Sequence, residues 1–213
     1  MDEGPPRPPT PRHFSMVRDF QLADLLTLCN GFCGMGAVLA TMRWLTLPDG
    51  AGLSLAFELL PLALVFDVLD GRVARWRRRS SALGQELDSL ADLVSFGVAP
   101  AAIAFALGMR GGLDALALIY FVACGIARLA RYNATAASLS DDSGKVRYFE
   151  GTPIPTSLAL VLVMHLLHRA GRTGDALPLG AVELASLTLH PISLMFVASG
   201  SAMISKTLRI PKP

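Results

Sequence analysis

Apolar residues along this chain fall in six long blocks, at approximately 22–45, 53–75, 87–107, 113–132, 153–169 and 182–204, separated by short polar stretches. A helix needs about 20 mostly apolar residues to cross a bilayer, and the blocks match that length, although the fifth is short. The second and third are the least conventional, because each carries acidic residues toward the loop between them. The pattern predicts an all-α polytopic membrane protein with six transmembrane helices. Residues 1–14 contain five prolines and no apolar run, the expected make-up of a disordered proline-rich tail, which leaves 15–213 as one membrane domain. The first apolar run begins only near Leu22, is broken by Asp24 and Asn30, and lacks a small-residue cleavage site, so a cleavable signal peptide is not expected.

Composition supports this pattern. Of 213 residues 52% are hydrophobic and only 17% charged, against roughly a quarter charged in soluble domains, and the mean hydropathy is +0.47. A net charge of +2 gives no reason to expect a nucleic-acid partner. Cys29, Cys33 and Cys124 all lie inside apolar stretches and read as reduced packing residues.

The placement of positive charge is more informative than its sum. With the N-terminus inside and six spans, fifteen of the nineteen Lys and Arg residues fall on the inner side and four (Arg43, Arg110, Arg169 and Arg172) on the outer. Cytoplasmic loops collect such residues, so both termini are expected in the cytoplasm. Arg77, Arg78 and Arg79 read as anchors on anionic headgroups.

Asp67, Asp70, Asp88 and Asp92 lie at membrane-helix ends within 26 residues of one another. A carboxylate at the bilayer centre costs roughly 2.5–3.5 kcal/mol on insertion scales, so four together need pairing, hydration or metal. At 3.6 residues per turn Asp67, Asp70, Gly71 and Ala74 share one side of a helix, and Gly84, Asp88 and Asp92 share a side of the next. Two acidic faces can therefore converge, and divalent cations would relieve their repulsion; hard oxygen ligands favour Mg²⁺ or Mn²⁺. Gly71 and Gly84 strip bulk from the same faces, which suits close approach of a nucleotide pyrophosphate, and Arg75 is a bidentate donor for phosphate oxygens. Pairing with arginines at the membrane edge would explain the charge, but not the glycines and the alanine at these distances.

The spacing D-x2-D-G-x2-A-R-x8-G-x3-D-x3-D, with all eight fixed positions present, resembles the signature of the CDP-alcohol phosphotransferase family. The motif covers residues 67–92, and the six-span pattern extends the likeness over nearly the whole chain beyond the tail. The resemblance implies a homodimeric six-helix membrane enzyme with two divalent ions near the cytoplasmic face. Asp67, Asp70 and Asp88 match the family's metal ligands, and Asp92 matches its catalytic base and a second-metal ligand. Gly71 and Arg75 match positions that hold the CDP moiety, with Ala74 and Gly84 beside them, and Asn30 sits where members contact the nucleotide. The implied chemistry is direct attack by an acceptor hydroxyl on the lipid-bearing phosphate, releasing CMP with no covalent enzyme intermediate.

Four further stretches look like the membrane-embedded phosphatidylserine synthase branch: Asp88 to Pro100, Ala127 to Asn133, Phe149 to Pro155, and Met203 to Lys206. They favour CDP-diacylglycerol and L-serine as substrates, in the inner (cytoplasmic) membrane with the active site facing the cytoplasm. Arg128 and Arg131 are placed to meet a serine carboxylate or a lipid phosphate, and Ser95 and Asn133 are candidate acceptor contacts. Sister activities on glycerol 3-phosphate or inositol phosphate, and a catalytically silent CDP-lipid-binding scaffold, are the alternatives. His165, His168 and His190 read as packing residues away from this chemistry, and Glu58 has no assigned partner.

Overall fold

A computed structural model describes residues 21–47, 51–77, 82–138, 148–184, 186–205, 207 and 209–211. The proline-rich tail, and Arg78 and Arg79, lie outside them. The chain forms α1 (Leu22–Thr46), α2 (Ala51–Arg77), α3 (Ala82–Asp92), a π-helical segment (Leu93–Val98), α4 (Ala99–Leu107), α5 (Gly112–Ser138), α6 (Leu158–Arg169) and α7 (Leu194–Ile204). Four stretches are long and apolar enough to cross a membrane: Leu22–Thr46, Gly52–Trp76, Leu83–Leu107, which runs unbroken through α3 and α4, and Gly112–Ala134. Ile154–Arg169 and Pro191–Ile204 are shorter apolar helices. At 1.5 Å per residue, the first of these spans about 24 Å, less than the roughly 30 Å of bilayer hydrocarbon.

The last predicted span is corrected at its start. Val182–Leu184 (β2) and Leu187–Leu189 (β3) form an antiparallel hairpin, not helix. Glu183, Ser186 and Thr188 interrupt the apolar run there, Val and Thr favour strand, and Ser186 takes a positive φ of 68° at the turn. A second small sheet pairs Tyr148–Glu150 (β1) with Arg209–Pro211 (β4), tying the start of α6 to the chain beyond α7. Gly151, with φ +78°, abuts the carbonyl of Met203 in that junction, and Thr152 N–H donates to the Ala202 carbonyl at 3.2 Å.

α1 packs along α2, α3, the π segment and α4. Lipid does not draw helices together as water does, so close packing depends on small residues. A Cβ on Gly34 of α1 would lie 2.7 Å from the Cα of Ser95, and one on Gly200 of α7 would lie 3.3 Å from the Sγ of Cys124 on α5. Phe121 and Phe196 meet edge to face at 5.2 Å across α5 and α7. Leu25, Phe32, Met35, Leu39 and Met42 on α1 instead face outward, so the apolar side of the helix is its outer side and the small and polar side is its inner one.

The π-helical turn follows Asp92 directly. Ala99 N–H donates to the Val94 carbonyl, five residues back, and Pro100 has no N–H to continue the regular ladder. Gly97 lies within this wide turn, and Ser95 donates from its hydroxyl to the Asn30 carbonyl at 2.9 Å. The turn thereby presses α3 and α4 onto α1.

Gly34→Ala should therefore destabilise the protein in detergent by about 1–3 kcal/mol, the usual range for overpacking. Gly71→Ala, where an added Cβ meets nothing within 4 Å, should leave the melting temperature unchanged. Thermal unfolding followed by intrinsic fluorescence checks both.

Candidate active site

One end of the bundle gathers the start of α1, the end of α2 and the second half of α3. Carboxylate oxygens of Asp67, Asp70 and Asp88 lie within 4.8 Å of one another there. Helical periodicity accounts for the cluster: Asp67 and Asp70 are a turn apart on α2, and Asp88 is a turn before Asp92 on α3. Asp70 and Asp92 are buried.

The polar stripe of α1 secures the two buried carboxylates. Thr27 hydroxyl donates to Asp70 Oδ2 at 2.6 Å, and Asn30 Nδ2 donates to Asp92 Oδ1 at 3.0 Å. Asp24, one turn earlier and also buried, accepts from the backbone N–H of Gln21 at 2.8 Å, closing the helix start with a capping box. Thr27 was not singled out from the sequence. The signal was present, because Asp24, Thr27 and Asn30 recur every three residues on one helix face.

Asp67, Asp70 and Asp88 thus cluster, Asp92 lies one turn beyond Asp88 on α3, and Asn30 bonds to Asp92. Asn30 is fully buried, so it touches the site through its bond to that carboxylate. Gly71 leaves open space where a side chain would be, beside the cluster. Ala74 and Gly84 are half-buried on α2 and α3. Arg75 is exposed, and its Nε donates to the Gly71 carbonyl at 3.1 Å, which lays the guanidinium along α2 next to the open glycine.

Ser95 is not free to meet an acceptor: it is fully buried and donates to the Asn30 carbonyl. Asn133 donates from Nδ2 to Ser89 Oγ at 3.0 Å, next to Asp88. His165 and His168 lie at the far end, stacked around Phe57 at 4.8 and 5.9 Å, with Trp44 6.1 Å from His168; both are packing residues, as expected. His190 is not merely a packing residue. Its Nδ1 lies 2.6 Å from Asp114 Oδ2, and its backbone N–H donates to Asp114 Oδ1 at 2.8 Å. Glu58 is exposed on α2, and nothing in the structure explains it.

Three clustered carboxylates supply the hard oxygen donors a divalent cation needs. Buried Asp88 Oδ1 has no hydrogen-bond partner among the described residues, an orphan that a metal ion would satisfy. The donor set therefore fits a divalent ion.

Comparison with known proteins identifies this arrangement. The family model for CDP-alcohol phosphatidyltransferases matches residues 20–198. The chain belongs to that family. A CDP-diacylglycerol–serine O-phosphatidyltransferase of Saccharomyces cerevisiae is 52% identical over 204 residues, covering 94% of this chain and 74% of the relative. One of the same name from Methanocaldococcus jannaschii is 35% identical over 150 residues, covering 70% of this chain and 62% of the relative. An archaetidylserine synthase of Methanothermobacter thermautotrophicus is 34% identical over 148 residues, covering 68% and 58%. As a family member with spanning helices, the chain is a membrane-embedded transferase.

Asp88→Asn should weaken Mn²⁺ binding at least tenfold, measured by electron paramagnetic resonance on the purified protein in detergent. Glu86→Gln, an exposed neighbour on α3, should leave Mn²⁺ affinity unchanged.

Proposed function

We propose that this protein transfers a phosphatidyl group from CDP-diacylglycerol to L-serine, giving phosphatidylserine and CMP. The cluster of Asp67, Asp70 and Asp88 beside an uncovered glycine, with Asp92 one turn further along α3, carries the chemistry, and the activities of the relatives support serine as the acceptor.

Asp67, Asp70 and Asp88, with Asp92 as a shared ligand, would hold two divalent ions, Mg²⁺ or Mn²⁺. Such ions, when bound, neutralise charge on the pyrophosphate and on departing CMP. The chain's own groups do the rest. The bare face of Gly71, with Ala74 and Gly84 beside it, admits the nucleotide pyrophosphate close to the backbone. Arg75, tethered through Nε, keeps its terminal nitrogens for phosphate oxygens. Asn30 occupies Oδ1 of Asp92, so that Oδ2 takes the proton from the acceptor hydroxyl. The hydroxyl oxygen then bonds to the lipid-bearing phosphorus as the bond to the CMP oxygen breaks.

The charge distribution favours both termini and the carboxylate end on the cytoplasmic side of the cell membrane, where soluble serine is available and where anionic CDP-lipid meets basic helix ends. A homodimer accords with the family. Residues 15–213 are the catalytic unit in this reading, with 1–14 an appended tail.

CMP release by purified protein with CDP-diacylglycerol and Mn²⁺ tests the reading across L-serine, glycerol 3-phosphate and inositol phosphate. We expect release with serine alone, and a loss of about a hundredfold or more in Asp92→Asn, the usual worth of a general base. Release only with a phosphorylated acceptor would assign a sister activity. Tight CDP-lipid binding with no release would assign a scaffold.

A further inference from the structure

The hairpin at the start of the last predicted span has no part in the chemistry above, and its two faces differ. Side chains alternate across a strand, and residues opposite each other in an antiparallel pair share a face. Val182 pairs with Leu189 and Leu184 with Leu187, so one face is wholly apolar; Glu183 pairs with Thr188 on the other. Val182, Leu184 and Leu187 stay exposed, Leu184 at 54%. Just before the hairpin, Leu179 is 78% exposed and holds a left-handed φ of 70°, a conformation that costs a leucine on the order of 1–3 kcal/mol. Apolar side chains grouped on an exposed face mark contact with an apolar medium or partner.

The attachment of the hairpin fixes its height in the bundle. A Cβ on Gly111 would strike the Thr188 carbonyl, and one on Gly112 would lie 2.7 Å from the Leu187 side chain. His190, directly after β3, donates its backbone N–H to the fully buried Asp114 of α5 at 2.8 Å. The hairpin is thereby held at the start of α5. Near the other end of that helix Asn133 bonds to Ser89, next to Asp88. From Gly112 to Asn133 the helix rises about 32 Å at 1.5 Å per residue, and the hydrocarbon core of a bilayer is about 30 Å thick. With the carboxylate end at one boundary of the hydrocarbon, the hairpin lies at the other.

Two further observations name what covers the apolar face. Leu116 and Ile119 follow Gly112 on one face of α5 and are exposed, so the hairpin continues a surface that already meets acyl chains. Exposed Arg110, Arg169 and Arg172 lie around the same junction, where Gly174 and Leu177 close on Gly108; long basic side chains there suit the phosphates of lipid headgroups. A second copy of the chain fits less well, because a handful of side chains falls far short of the roughly 20–30 residues a side that a stable protein interface uses. We propose that the hairpin β2–β3, with Leu179 before it, is an interfacial anchor whose apolar face lies in the phospholipid surface on the side of the bilayer opposite the carboxylates. The proposal holds whichever acceptor alcohol the enzyme uses.

The test places a nitroxide spin label at Leu184→Cys and, on the opposite hairpin face, at Glu183→Cys, in the full chain reconstituted into nanodiscs of phosphatidylcholine and phosphatidylglycerol. Wild type, whose own cysteines are buried or half-buried, is labelled in parallel as the background. Collisions with oxygen, which concentrates in lipid, are compared with those of a water-soluble nickel chelate by electron paramagnetic resonance. At 184 oxygen collisions should exceed nickel collisions threefold or more, and at 183 nickel should dominate. Leu179→Cys carries the same expectation as 184 and stands in for it should that variant fail to fold. Nickel dominating at 184 and 179 would put the hairpin in water and overturn the proposal. Labels there shielded from both reagents and broadened by a neighbouring label would make the face a contact between copies, and would equally overturn it.

Discussion

Four carboxylates inside an apolar helical bundle repel one another and resist burial, and the inner face of α1 is built to hold them. Thr27 and Asn30 each donate to one of the buried pair, Asp70 and Asp92. The donors lie three residues apart and so reach α2 and α3 from one helix face. Close approach of α1 to the π segment, allowed by Gly34, brings Asn30 within reach of Asp92 and lets Ser95 bond the Asn30 carbonyl. Packing and polar satisfaction are therefore one device: loosening the helix contact would also release the carboxylates.

Much of this was legible in the sequence, for reasons that differ by residue. Helical spacing placed Asp67, Asp70, Asp88 and Asp92 together because a turn-to-turn interval leaves little freedom within one helix. Hydropathy located the four long spans because the bilayer sets their length. It failed at Val182–Leu189, where exposed apolar side chains on a hairpin resemble helix by composition alone. Ser95 was misjudged because its role depends on which helix lies opposite, and only the π turn, with Pro100 and Gly97 beside it, turns it toward Asn30. Nothing in a one-dimensional pattern reports that extra residue per turn.

Asp114 shows the same limit from the other side. In sequence it is an acidic residue entering an apolar block, much like Asp67. In the fold it is fully buried and receives the backbone N–H groups of Gly111 and His190 while lying 2.6 Å from the His190 ring. It closes the start of α5 against the turn that leads into α7. The difference between a structural and a reactive aspartate lies in whether the chain itself satisfies it.

That criterion separates Asp114 from the carboxylates at the other end of the bundle. At the far end Asp114 has three partners from the chain. At the other end Asp88 Oδ1, Asn30 Oδ1 and Arg128 Nε are all buried without partners among the described residues. Both anion-binding and cation-binding groups are left open there, acceptors and a donor within the same few helical turns. A site that took only a metal would need the acceptors alone, and one that took only an anion would need the donor alone. Their juxtaposition fits a centre that must hold a cation, a polyphosphate and an anionic acceptor at once, with glycine clearing the space between them.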